Sequence, residues 1–314
     1  MTIASRMLWT GVALFAMGPI AGATGCSGAA SETDGTTGTQ AQDLSGPFTV
    51  TLAVPNPLSP KAPVLEGSNG VTVNSGSTVL SGTVVAMGAS GFAAGSGAVV
   101  NDVWSRGTAH LSTSVHVRGT LHATSAVTML GDVIQATDTN PPFDPPTTLT
   151  WTVTYPTGTP TNVSVPQNQS QTLAPGLYGT VSVGSNGTLD LAEGTYYLTS
   201  FSVSPRATVN VGQATGPVVV YVSTSATLGG SFTGVSATAD LLLGYFGTAA
   251  ITVGDSSCTI LGGTCVPFVG SIVAPSATVT LLALSAGPHS GFFAAPQLVL
   301  AANAKVQYRA PTAF

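Results

Sequence analysis

From Val103 onward every sixth residue is small or aliphatic: Val103, Ala109, Val115, Leu121, Val127 and Val133, with Val73, Val79 and Val85 in the same register upstream. The period is six residues. It is the pattern of a triangular β-helix, in which each short strand forms one face and about three faces complete a coil. The second half carries a longer repeat: APGLYGTVSVGSNGTLDL (174 to 191) is followed by AEGTYYLTSFSVSPRATVNV (192 to 211), aligned as A-x-G-x-Y, then S-V, then small-T-apolar-x-apolar. Later echoes are ATLGG, ATVTL and AKVQY. Each unit reads as an extended stretch, a Gly or Asn turn and a short strand with alternating faces. The wholly apolar runs PVVVYV (217 to 222) and DLLLGYF (240 to 246) predict strands covered on both sides. The expected fold is all-β, a parallel β-helix (solenoid) whose coils bury a common apolar column.

Two breaks interrupt the pattern. SGAASETDGTTGTQAQ, Ser27 to Gln42, is polar with no hydrophobic period and predicts a disordered tether. NPPFDPPTTLTWTVTYPTGTP, residues 140 to 160, holds Pro141, Pro142, Pro145 and Pro146, which cannot donate to a central ladder, so it reads as a connector with one strand from Thr148 to Tyr155. The expected organisation is a signal peptide (1–25), a tether (26–46), an N-terminal β-helical region (47–139), a Pro-rich connector (140–165) and a C-terminal β-helix domain (166–314).

Only 6% of the 314 residues are charged, with 7 Lys and Arg against 12 Asp and Glu, so Ser, Thr, Gly and Asn must supply the polar surface. No basic patch could neutralise phosphates, which argues against a nucleic-acid partner. Beyond the N-terminus no apolar run approaches the roughly eighteen residues of a spanning helix. The opening MTIASRMLWTGVALFAMGPIAGATGC has the form of an export signal. Ala21-Gly22-Ala23 fits an A-x-A cleavage site, while Ala23-Thr24-Gly25-Cys26 resembles the lipobox of bacterial lipoproteins, with Ala23 where that family prefers Leu. Of the three cysteines, Cys258 and Cys265 lie close enough in CTILGGTC to pair in an oxidising compartment. Cys26 is then the odd one, and lipidation accounts for it. The expectation is an exported lipoprotein of the bacterial outer membrane or cell surface, with simple secretion as the alternative.

Candidate chemistry is sparse. His110, His116 and His122 are six apart, which places them on successive faces, whereas metal ligands converge to about 2.0–2.1 Å of one ion. Convergence needs a spacing near eighteen, where Thr128, Ile134 and Asn140 stand instead. The same holds for Asp132, Asp138 and Asp144. No metal and no cofactor are expected. GDSSC (254 to 258) puts Ser256 in a G-D-S context, but no base lies near it in sequence, and His289 sits in GPHSGFF. Asp190 and Glu193 are three apart and straddle the turn into Gly194; they read as turn-forming acids rather than a catalytic pair. T-x-T runs (Thr49 and Thr51, Thr148 to Thr154, Thr278 and Thr280) could order water as in ice-binding β-helices, yet T-x-T does not recur once per coil. Tyr178, Tyr196, Tyr197, Phe292 and Phe293 are assigned to packing and capping.

The run from LAPGLYG through EGTYYLTSFSV to GSIVAPSATVTL and GPHSGFFAAPQLVLAANAKVQYR resembles an uncharacterised β-helix domain of bacterial secreted and cell-surface proteins, including pilus-associated ones, over about 165–310. Residues 64–136 are similar in pattern to the bactofilin β-helices. The first resemblance implies a right-handed helix, and neither supplies a catalytic residue. The function expected is a non-catalytic adhesive, matrix or envelope scaffold, with glycan, envelope or pilus proteins, or further copies of the chain as partners. The alternatives are a polysaccharide lyase or hydrolase, and an ice-binding protein.

Overall fold

A computed structural model of the chain describes residues 49–55, 63–130, 134–138, 148–236, 240–254 and 266–311. The signal and tether regions, Cys26, Cys258, Cys265, Ser256, Asp132 and Asp144 lie outside these residues. The described chain is all strand, with parallel strands stacked as a β-solenoid of about 11 turns. Residues 43–314 form a single compact unit.

The order of the stack is not the order of the chain. One end is the coil of Thr161–Val165 and Ser170–Leu173. Above it lie Gly176–Val183, Gly194–Val203, Val218–Leu228, Leu241–Tyr245, Ser271–Val273 and Phe293–Leu300, each parallel to the last. The next strand is Pro63–Val73, the first of the N-terminal region, which pairs along Phe293–Leu300 from Leu65↔Phe293 to Val73↔Leu300. The stack then continues through Thr83–Ala86 and Gly91–Ala94 to Val103–Ser105 and His116–Ala123, and finishes at Ile134–Asp138. The two β-helical regions are thus one solenoid with a seam in its middle. Ten coil steps of about 4.8 Å make roughly 48 Å between the end coils, and the residues between Asp138 and Thr161 can span that at about 3.3 Å each.

Within each coil apolar residues alternate inward. Val103, Ala109, Val115 and Leu121, the positions six apart, are all buried in the core. Val73 and Val79 obey the same register, and Val85 does not: Val84 and Ala86 face the core on either side of it, after a bend at Gly82 with φ 86°. Phenylalanines far apart in sequence meet in the interior, edge-on for Phe201 and Phe232 with ring centroids 6.5 Å apart, and tilted for Phe232 and Phe268 at 4.8 Å and for Phe268 and Phe293 at 6.1 Å.

The A-x-G-x-Y repeat has a local cause. The Tyr178 hydroxyl donates to the Ala174 carbonyl at 2.7 Å, and the Tyr196 hydroxyl lies 2.8 Å from the carbonyls of both Ala192 and Leu173. The tyrosine therefore satisfies a backbone acceptor at the corner four residues before it. Gly194 sits at φ 123°, and a Cβ there would meet Pro175 Cγ at 2.6 Å, so this corner excludes other residues. Tyr196 is 1% exposed, and burial pushes its phenol up to about 12.

The strand expected between Thr148 and Tyr155 is Thr148–Thr154. It pairs antiparallel with Thr49–Pro55. Val153 and Tyr155 turn inward onto Leu242, Val273, Phe292 and Ala294, flanked by Tyr197, Val219, Tyr221 and Phe246, while Thr152 and Thr154 are exposed. Tyr155 meets Tyr197 edge-on at 5.3 Å and Phe246 at 6.2 Å. Because these contacts belong to successive coils, the segment crosses them as a strap.

Candidate functional site

The outward side chains form continuous ladders, because parallel pairing places equivalent positions directly above one another. The most regular ladder begins at the Thr161–Val165 end. Its rungs are the central residues of apolar-polar-apolar triplets: Ser164, Ser182, Ser202, Thr227, Thr252 and Thr280. Past Thr280 it continues as Val299, Thr72, Ala93, His110 and Thr128. The flanking residues, such as Val181 and Val183 or Val279 and Leu281, belong to the core.

Two residues earlier in each of the first six coils stand Asn162, Thr180, Ser200, Ser225, Ala250 and Thr278. Thr180 pairs with Ser200 and Ser200 with Ser225. The Ser225 hydroxyl donates to Ser200 Oγ at 2.9 Å, and Asn162 Oδ1 accepts from the Thr180 backbone N–H at 2.8 Å. A two-rank array of hydroxyls, with one amide and one methyl, thus recurs once per coil over six coils, about 24 Å at 4.8 Å per step. No residue of either rank in these six coils is ionisable. T-x-T itself occurs in only one of these six coils, at Thr278 and Thr280; what recurs is a wider pattern in which Ser, Asn or Ala takes the place of Thr at unequal spacing along the chain.

A second outward ladder is apolar and aromatic in its lower part. It runs Leu177, Tyr197, Tyr221, Gly244, Val273, Ala294, Glu66, Val85, Trp104 and His122. The strap lies over Tyr197 to Ala294. Glu66 is 7% exposed, and its Oε2 has no hydrogen-bond partner. Desolvation pushes its carboxyl up to about 8, so the proton is retained at neutral pH. Farther along, the Trp104 and His122 rings stack at 3.7 Å and 15°.

The histidines fall on three ladders, as the spacing implies. His110 pairs with Ala93 and Thr128, His116 with Val99, and His122 with Trp104 and Asp138. Among the described residues no group of three or more His, Cys, Asp or Glu could hold a metal ion. Asp190 is in the strand Thr188–Leu191 and not in a turn, and it accepts from Asn210 Nδ2 at 2.7 Å. Glu193 is at the following turn and accepts from the Thr215 hydroxyl. The two carboxylates therefore serve different neighbours.

His289 is 1% exposed. Its Nδ1 accepts from the Phe268 N–H at 3.2 Å and its Nε2 donates to the Leu282 carbonyl at 2.8 Å. Burial lowers the imidazole to about 4, so it is a neutral cross-link between loops with both ring nitrogens engaged. Of the aromatic positions assigned to packing, Tyr196 and Phe293 are in the core, Phe292 lies beneath the strap, Tyr178 packs against the edge of the main core and Tyr197 against the strap cluster. A groove of about 450 Å³ is lined by Met87, Gly88, Ala89, Arg106, Gly107, Thr108 and Ser125 at successive coil corners. Among the described residues no helix is long and apolar enough to cross a membrane.

Comparison of the chain with protein-family models, with curated proteins and with solved structures found no match in any of the three.

Proposed function

We propose that this protein is a non-catalytic, exported scaffold, anchored through lipidated Cys26, that uses its uncharged hydroxyl array for adhesion in the cell envelope or its surrounding matrix. The observation that carries the reading is the array itself: two ranks of hydroxyls, with one amide and one methyl, stacked over six coils with no ionisable residue in either rank. Such a face offers many weak hydrogen bonds at fixed spacing, which suits a repetitive neutral partner such as a glycan better than a small charged substrate. A short Cys258–Cys265 bridge, if formed, would constrain the segment that holds both cysteines by about 2–3 kcal/mol.

The exported protein is to be incubated with plant, fungal and bacterial polysaccharides, with retention and released or unsaturated products recorded together. Retention without products is expected. Released products would overturn the proposal in favour of a polysaccharide-acting enzyme.

The recurrence of the two ranks also favours a second reading, ice binding, since a flat hydroxyl and methyl lattice can hold ordered water. Faceted ice growth and a gap between freezing and melting points in the presence of the protein would establish it. Freezing and melting at one temperature would dismiss it.

A further inference from the structure

One junction in the solenoid is unlike the rest. At the other coil steps the chain itself runs from one coil into the next, as from Leu173 to Gly176 or from Val100 to Val103, so neighbouring coils stay tied when their hydrogen bonds break. At the seam the contact is noncovalent throughout. Pro63–Val73 lies along Phe293–Leu300, Thr78 and Val79 lie on Lys305 and Val306, and the blocks 63–138 and 161–308 are joined only through residues 139–160. Across it the backbone N–H groups of Asn74, Thr78 and Leu80 donate to the carbonyls of Leu300, Ala304 and Val306 at 2.9, 2.9 and 2.8 Å.

The same junction holds a buried carboxyl without a partner. Glu66 stands between Ala294 and Val85, 7% exposed, and its Oε2 has no hydrogen bond. The strands packed on Pro63–Val73 bring no countercharge: Phe293–Leu300, Thr83–Ala86 and Gly91–Ala94 contain no ionisable residue. On the strap, Tyr155 shares a cluster with Ala294, and burial holds its phenol above the ordinary range, so it too is neutral. Lys305, at the other end of the seam, is exposed and lies beside Thr78. An ionised Glu66 therefore has only water to stabilise it, and water reaches it only when a neighbouring strand moves away.

We propose that the seam is a pH-dependent latch: ionisation of Glu66 parts the block 63–138 from the block 161–308 between Pro63–Val73 and Phe293–Leu300, while each block keeps its own coils. The seam yields first because no chain connection crosses it. In the closed seam desolvation pushes the carboxyl up to about 8 from 4.5, so the closed form holds the proton more tightly and rising pH favours opening. Between these values opening grows about tenfold per pH unit, and it levels off above 8.

The test is hydrogen exchange of the exported protein from pH 5 to pH 8, with each rate divided by the intrinsic rate at that pH. Protection at Asn74, Thr78 and Leu80 is expected to fall about tenfold per pH unit. By pH 8 it should lie at least about tenfold below that of Ser112 and Ser204, whose N–H groups make the equivalent bonds inside the two blocks, to Ala94 and Val183 at 2.9 and 3.0 Å. Glu66→Gln is expected to abolish the slope at the seam, and Glu66→Met supplies the same reading if that variant fails to fold. Seam amides as protected at pH 8 as Ser112 and Ser204, seam protection that does not change with pH, or a slope that survives replacement of Glu66 would each overturn the proposal.

Discussion

Glu66 gives the structure a pH dependence opposite to that of most carboxylates. It lies at the seam, with Ala294 of the last C-terminal coil on one side and Val85 on the other. In the unfolded chain it titrates near 4.5, and in the folded protein near 8. The folded state therefore binds the proton more tightly, and between these values stability falls as pH rises. The contribution is complete below about 4.5 and is lost as pH passes 8. At about 1.4 kcal/mol per pH unit of separation, the cost reaches roughly 3 kcal/mol at pH 7 and approaches 5 kcal/mol above pH 8. Glu66→Gln keeps the shape and removes the titration. Urea unfolding of both proteins from pH 4 to pH 9 isolates the effect, because all other groups cancel in the difference. The variant should equal the wild type near pH 4 and exceed it progressively toward pH 8. A difference that stays flat with pH, or a variant less stable at pH 8, would refute the claim that the carboxyl is buried without compensation.

His289 is the converse case: its imidazole is neutral when folded, so stability should fall as pH drops from about 6.5 toward 4, by about 3 kcal/mol, and the difference between wild type and His289→Gln in acid unfolding should show that slope. Tyr196→Ala should cost about 3–5 kcal/mol by emptying a core position, lowering the melting temperature without altering ligand retention by the protein that remains folded, while Tyr196→Phe should cost about 1 kcal/mol. Tyr155→Ala should loosen the strap, so hydrogen exchange at Val219 to Tyr221 should speed up well before that of the core strand Val181–Val183; uniform protection across both would count against the strap as a separable cover.

The fold class is legible because inward apolar positions recur at short intervals where coils are regular, as from Val103 to Leu121. The double coverage of PVVVYV and DLLLGYF is legible too, since Val219, Tyr221 and Leu242 are outward positions that remain apolar. The identity of the cover was hidden, because Val153 and Tyr155 alternate with threonines like any half-buried strand. The seam is equally silent in sequence: parallel partners leave no local mark, and nothing in Pro63–Val73 distinguishes Phe293–Leu300 from any other neighbour. The hydroxyl array leaves no fixed period in the sequence, for a simpler reason. Its rungs are 18 residues apart at Ser164 and Ser182 but 28 apart at Thr252 and Thr280, because loops of unequal length intervene, so a fixed period finds only part of it.

The central claim, that the hydroxyl array is the working surface, is tested most directly by charging it and measuring retention on whichever polysaccharide holds the wild-type protein. Ser202→Lys/Thr252→Lys places two charges within the array, and Thr188→Lys/Thr208→Lys places the same charges on a different outward ladder. Loss of retention by the first pair, with the second pair behaving as wild type at equal melting temperature, is the predicted result. Equal retention by both pairs would contradict the account.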